Sequence, residues 1–202
     1  MSGSRLSAPN DPTRRDRILE GALDVIAEHG VHRTTHRRIA ARAEVPLGSL
    51  TYYFANLDDI LERAFERMAE SMSVSYRAAL AEASDRDSAE RAVVDLICGP
   101  SYVDGRTMSL IFEMYAFANH NRTVAGTTRS WILRSRSSLT IHFPTRTACA
   151  LDVLIEGWPM HRSFEDQPLD RELVATTVRA IVDSTARVED INQVRDGEMG
   201  WG

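Results

Sequence analysis

The 202-residue sequence predicts an all-α chain, and three observations carry that expectation. Apolar residues recur at intervals of three and four along nearly the whole length, the period of a helix with one buried face. Helix-capping residues and Gly or Pro punctuate the pattern at helix-length intervals. Nothing alternates apolar with polar residues over a length that reads as a strand. The elements group into a short N-terminal set and a longer helical body.

Residues 1–11 are polar, with Ser, Gly, Pro and Asn, and are expected to form a disordered arm carrying Arg5. Thr13 caps a first helix with Ile18, Ala22, Val25, Ile26 and His29 on one face, and Gly30 ends it as a left-handed C′ residue. Arg14, Arg15 and Arg17 sit at its start, where cations oppose the helix dipole, so an external anion suits them. Thr34 and Thr35 precede a second, short helix whose apolar face is Ile39, Ala40 and Ala43. Residues 44–48 interrupt it. Pro46 cannot extend a helix but fits the first turn of the next one. That third helix runs through Ser49, Leu50, Thr51, Tyr52 and Tyr53, with Val45, Leu50 and Phe54 inward. Asp58 and Asp59 open a long helix through about residue 83, with Ile60, Leu61, Ala64, Phe65 and Met68 at helical spacing. Residues 84–88 break it and cap the next, which carries Val93, Val94, Leu96 and Ile97 up to Gly99 and Pro100. Further helices are expected over about 106–119, 121–142, 144–163 and 169–187, leaving 189–202 as a flexible tail.

Residues 34–54 therefore read as two short helices joined by a tight turn, the second presenting hydroxyls. That describes a helix-turn-helix able to enter the major groove of DNA. Charge agrees. Residues 32–42 hold Arg33, Arg37, Arg38 and Arg42 and no acid. Residues 1–54 carry 8 Arg against 6 Asp and Glu, whereas the remainder carries 16 against 23. Phosphate neutralisation needs that placement. The net charge of −5 argues against a general coating of nucleic acid, leaving a local patch.

The run 13–60 resembles the N-terminal domain of the TetR/AcrR family of bacterial transcriptional regulators. The matching residues are Gly30, Thr34, Thr35, Ile39, Ala40, Ala43, Val45, Gly48, Leu50, Tyr53 and Phe54, and the likeness covers about a quarter of the chain. The family usually has Ser where Pro46 stands, often Tyr or Trp at Thr51, and Lys at Leu57. A capping hydroxyl and one phosphate contact are therefore replaced here. The resemblance implies an all-α fold with an N-terminal three-helix helix-turn-helix DNA-binding domain, followed by a helical ligand-binding and dimerisation domain. The expected boundaries are 1–11 arm, 12–56 DNA-binding domain, 57–188 ligand-binding and dimerisation domain, and 189–202 tail. It also implies a homodimeric, ligand-responsive regulator, most simply a repressor. Such a dimer binds double-stranded, pseudo-palindromic operator DNA and is released by a small-molecule effector.

The expected DNA contacts are Thr35, Arg37, Arg38, Leu47, Ser49, Thr51, Tyr52 and Tyr53. Thr35 offers its hydroxyl or helix-start N–H groups to a phosphate, and Arg37 lies where family members often place a contacting side chain. Ser49, Thr51 and Tyr52 are expected to be the exposed residues of the recognition helix, their hydroxyls reading bases. Tyr52 or Tyr53 suits a phosphate, and Leu47 offers only an apolar contact. Phe65, Met68, Met72, Met108, Phe112, Tyr115 and Phe117 are soft, large side chains that suit a cavity for a partly hydrophobic effector, or plain core. Glu113, His120 and Arg129 are candidates to orient its polar group. Family members pair their last two long helices across a two-fold axis. Leu151, Leu154, Ile155 and Trp158, and Leu173, Val174, Thr177, Ile181 and Val182, are accordingly the candidate dimer stripes.

Other chemistry finds little support in the residues. Cys98 and Cys149 are too few for a disulfide scaffold and lack metal-ligand spacing, so buried thiols in a reducing cytoplasm are expected. His29, His32 and His36 straddle a helix end, a loop and a helix start, a poor metal geometry. No nucleophile–base pair, P-loop or Gly-rich dinucleotide motif is present, so no enzyme activity, cofactor or metal is expected. No apolar h-region and no run approaching 18 apolar residues appears, and a cytoplasmic protein without a membrane partner follows. Two alternatives stay open. One is a helical small-molecule-binding protein or enzyme whose N-terminal hairpin is structural; the other is an activator or effector-free regulator.

Overall fold

The computed structural model describes residues 12–99, 104–167 and 169–198, with side chains described between Thr13 and Ser184. The arm 1–11, with Arg5, and the last residues 199–202 lie outside the described residues. The described residues form nine α-helices and one 3-10 turn, with no strand among them. They are α1 Pro12–His29, the 3-10 turn Val31–Arg33, α2 His36–Arg42, α3 Leu47–Tyr53, α4 Leu57–Ala81, α5 Arg86–Cys98, α6 Gly105–Ala118, α7 Arg122–Leu139, α8 Thr145–Arg162 and α9 Arg171–Glu198. The chain is all-α, as its periodicity predicts.

Two boundaries differ from expectation for local reasons. α1 begins at Pro12, which has no N–H to satisfy, so Thr13 lies within the first turn instead of capping it. α9 runs past residue 187 to Glu198, because residues 188–196 contain neither Gly nor Pro to stop it.

The chain divides into two compact units that are discontinuous in sequence. One joins the chain up to Ala69 with Ser109–Thr128; the other joins Glu70–Met108 with the chain from Arg129 onward. The divisions fall inside α4, α6 and α7, not at the connection after residue 56.

In the first unit α1 packs on α2 and α2 on α3. Ile18 and Ile26 of α1, Ile39 of α2, Leu50 of α3 and Ile60 of α4 are fully buried. Each such side chain contributes about 1.5–3 kcal/mol by leaving water. The second half of α6 joins this core. Phe117 lies 6.2 Å from Phe65 between ring centroids, and Asn121 donates from Nδ2 to Glu62 Oε1 at 2.8 Å.

In the second unit α5, α8 and α9 pack on one another, burying Val93 and Ile97, Leu151 and Ile155, and Val174, Val178 and Val182. α5 starts with a reciprocal cap. The Ser88 N–H donates to Asp85 Oδ1 at 2.7 Å, and Ser88 Oγ accepts from the Asp85 N–H at 3.0 Å. The buried Glu90 would be costly alone. Arg86 and Arg179 each reach it at 3.2 Å, and Arg86 continues to Asp183 at 2.6 Å, joining α5 to α9. Buried Asp152 of α8 likewise accepts from Ser135 Oγ at 2.5 Å and Arg136 Nε at 2.9 Å on α7.

Candidate nucleic-acid interface

The helix-turn-helix is built by two starts and one strained corner. Thr35 caps α2, its Oγ1 accepting from the Arg38 N–H at 3.3 Å. After Ala43 the backbone turns through Glu44 at φ 53°, a left-handed conformation unusual for a side chain other than Gly or Asn. Pro46 then precedes α3 at φ −58° and ψ 142°, with no side-chain cap. Its carbonyl takes the Ser49 N–H at 2.9 Å. The turn is thus preserved without the hydroxyl that a Ser would bring.

α3 has two faces. Val45, Leu50 and Phe54 are buried as the spacing predicts. Leu47, Gly48, Thr51 and Tyr52 form the exposed strip, Tyr52 at 66%. Ser49 does not join them. It is only 9% exposed, because it stands four residues after buried Val45 and four before half-buried Tyr53, on the inward stripe. The expectation that its hydroxyl faces outward is corrected accordingly. Tyr53 is half-buried, with Tyr52 edge-on at 4.8 Å between ring centroids. Thr51 donates its hydroxyl to the Gly48 carbonyl at 3.1 Å, leaving its methyl and lone pairs outward. A Cβ at Gly48 would meet nothing within 4 Å. The fold therefore needs no glycine there, although a helical Gly costs about 0.5–1 kcal/mol relative to Ala.

The basic side chains are not equivalent. Arg42 pairs with Glu28 of α1, and Arg38 donates from Nη1 to the Arg33 carbonyl at 2.9 Å. Arg15 lies over the Phe54 ring, 5.6 Å from its centroid. Arg17, Arg33 and Arg37 are exposed and make no ion pair among the described residues. Beyond α3, the Asp59 N–H donates to Asn56 Oδ1 at 2.9 Å. The Asp59 carboxylate accepts from the Ala55 N–H at 3.0 Å and Arg63 Nε at 2.7 Å. Partial burial draws the Asp59 pKa up, but the Ala55 N–H and the Arg63 and Arg15 charges outweigh it and hold the carboxyl below its ordinary value. Charge alone would not have singled out this region. Residues 114–151 also hold five Arg (122, 129, 134, 136, 146) and no acid.

The second unit contains a cleft of about 480 Å³. Ser71, Met72, Ser75, Tyr76 and Ala79 of α4, with Glu82 just beyond its end, line one wall, and Ala92, Asp95, Leu96, Gly99 and Thr107 complete the lining. Of the ten effector candidates Met72 alone lines it. Phe65 and Phe117 face each other in the first unit's core, Met68 is buried, and Phe112 and Tyr115 are half-buried. Met108 borders a second cleft of about 410 Å³ beside Pro159 and Arg162. His120 and Arg129 are exposed, and Glu113 accepts from a backbone N–H of the helix-turn-helix unit. Small and polar positions such as Ser71, Ser75 and Thr107 carry no sequence signal for a cavity, which is a space between helices.

Among the dimer candidates, Leu151, Ile155, Val174 and Val182 are buried in the protomer's own core. Leu173 is 54% exposed, and Leu154, Trp158, Thr177 and Ile181 are half-buried on the outer side. Val153, passed over by the stripe reading, is 63% exposed. It neighbours Gly157, where a Cβ would meet nothing within 4 Å. α8 is apolar on opposite faces, so a single stripe could not be chosen from spacing.

Residues 18–64 match the family model described as bacterial regulatory proteins, tetR family. The chain is similar to the HTH-type transcriptional regulator BetI of Burkholderia mallei, 24% identical over 179 residues, spanning 84% of this chain and 92% of the relative. It is also similar to the crystal structure of a protein assigned as a transcriptional regulator, SCO7518 of Streptomyces coelicolor A3(2). That structure is 41% identical with a TM-score of 0.78, covering 85% of this chain and 99% of the other. The multidrug binding protein EbrR, solved with ethidium, is 28% identical with a TM-score of 0.69 over 86% of this chain and all of its own.

Proposed function

This chain belongs to the tetR family of bacterial regulatory proteins, DNA-binding transcriptional regulators, and from that premise we propose that it is a homodimeric repressor released from a pseudo-palindromic operator by a small molecule. The exposed α3 strip carries the reading. Leu47, Gly48, Thr51 and Tyr52 form a smooth ridge with a glycine at its centre that the fold does not use. A glycine kept at a cost to the helix makes sense where another surface comes close. In the major groove the Thr51 methyl meets a thymine methyl or a base edge, and Tyr52 fixes register on the backbone. Thr35 and Arg37 take phosphates at the start of α2. The second copy is held by the outer face of α8 and α9, with Val153, Leu154, Gly157, Trp158, Leu173 and Ile181. Leu151, Ile155, Val174 and Val182 serve the core instead.

The effector occupies the α4–α5 cleft. Among the described residues no basic side chain lines it, while Glu82 and Asp95, the latter paired with Arg171, do, beside Met72, Tyr76 and Leu96. That lining suits an apolar body bearing hydrogen-bond donors or positive charge. The likeness to EbrR, solved with ethidium, supports a compound of that kind. Five of the lining residues belong to α4, whose first turn follows α3, so a ligand preferring one placement of α4 biases the two recognition helices. Unequal affinity for the two states of about 1–3 kcal/mol shifts operator occupancy about 5–150-fold.

Selection from random duplex DNA is the deciding experiment. The expected product is a palindrome with half-sites about one helical turn or a multiple apart. Arg37→Ala should weaken binding to it and lower the salt slope by about one unit. Recovery of no shared sequence, or an Arg37→Ala protein with unchanged affinity and slope, refutes this reading.

A further inference from the structure

The first residue of a helical turn has an N–H with no partner inside the turn. Val31 opens the 3-10 turn between α1 and α2, and its N–H is satisfied from far along the chain. Glu113 Oε2 of α6 accepts it at 2.8 Å, across 82 residues. Glu113 is the only carboxylate in α6 and follows Leu110 and Ile111, both buried, and precedes buried Met114. A charge placed on so apolar a face requires a defined partner, and among the described residues this backbone donor supplies it. The backbone of the connection is shaped to match. Gly30 holds φ 75° and ψ 163°, a region essentially reserved for glycine. A Cβ there would lie 2.9 Å from Glu113 Oε1. Thr34, buried, returns its hydroxyl to the Gly30 carbonyl at 2.9 Å. The next residue is Thr35, the α2 cap, followed within two positions by Arg37.

We infer that Glu113 is a positioning residue for DNA recognition. Its carboxylate fixes the α1–α2 connection, and through it the start of α2, so that Thr35 and Arg37 point where the operator phosphates lie. The inference rests on the DNA-binding reading above and reassigns Glu113 from an effector contact to the recognition unit.

Three proteins test it: Glu113→Ala, Glu113→Gln and Arg37→Ala, each full length, on the duplex recovered by selection. Hydrogen exchange at the Val31 amide, the salt slope of binding and the melting midpoint are read together. Glu113→Ala should speed Val31 exchange about tenfold or more and weaken operator binding roughly 5-fold or more. Its salt slope should stay at the wild-type value, because the phosphate contacts still form in the complex and affinity falls only by the cost of ordering the loosened connection. Glu113→Gln, whose amide oxygen still accepts, should restore both exchange and affinity. Wild-type exchange and affinity in Glu113→Ala, while Arg37→Ala weakens binding, overturn the inference and leave the DNA reading standing. A loss of affinity in Glu113→Ala that Glu113→Gln does not recover also overturns it. Unchanged binding in Arg37→Ala sinks the DNA reading itself, and the Val31 exchange then decides alone whether Glu113 holds the connection.

Discussion

Replacing Gly30 by Ala perturbs the backbone of the α1–α2 connection and the Glu113 contact together. At φ 75° and ψ 163° an alanine is strained by about 1–3 kcal/mol. Its Cβ would lie 2.9 Å from Glu113 Oε1 and from His32 Nδ1. Both atoms end flexible side chains and can withdraw, but withdrawal of Glu113 breaks the 2.8 Å bond to the Val31 N–H. A bond to a charged acceptor contributes about 1.5–3 kcal/mol when buried, and about 1 kcal/mol at this half-exposed site. The total is a destabilisation of about 2–4 kcal/mol, or about 4–16 °C in melting midpoint for a chain of this size. Urea unfolding followed by circular dichroism measures it, with Gly48→Ala as the control. Nothing stands within 4 Å of a Cβ at Gly48, so that change should stabilise by about 0.5–1 kcal/mol. In a Glu113→Ala background the cost of Gly30→Ala should fall by about 1 kcal/mol, because the two share one contact. A Gly30→Ala protein within about 0.5 kcal/mol of wild type, or one stabilised like Gly48→Ala, refutes the reasoning.

Three further outcomes are expected. Glu44→Gly should raise stability by about 0.5–1 kcal/mol, since relief of a left-handed strain of about 1–2 kcal/mol exceeds the added freedom of the unfolded chain; a urea titration reads it. Val153→Arg should shift sedimentation from dimer to monomer with little change in folding, whereas Leu151→Ala should cost about 2–5 kcal/mol of stability by opening the core. Asp59 is acidified in the folded protein despite its burial, so its contribution is fully present above the unfolded value near ~3.9 and disappears as pH falls through the lower folded value. Stability should therefore decline below about pH 4, and Asp59→Asn should show a shallower decline in urea titrations across that range.

The helix-turn-helix was legible in the chain because its signals are local. Thr35, Pro46 and the Ile39–Ala40–Ala43 and Leu50–Phe54 patterns act within a few residues, where spacing decides which side chains turn inward. Ser49 shows the limit even there. Its polarity suggests the surface, yet its place four residues after Val45 and four before Tyr53 puts it on the buried stripe. The soft aromatic and Met residues of α4 and α6 could not be sorted into cavity and core. Phe65 and Phe117 differ from Met72 only in what faces them from another helix.

By itself the sequence determined the all-α class, the helix order and the two-helix DNA-reading motif, since each depends on hydrogen bonds and side-chain periods within one segment. Tertiary structure decided the rest. It chose which face of α8 is core, which helices enclose the cleft, and that Glu113 meets Val31. Those are distances between residues tens of positions apart, and no local propensity carries them.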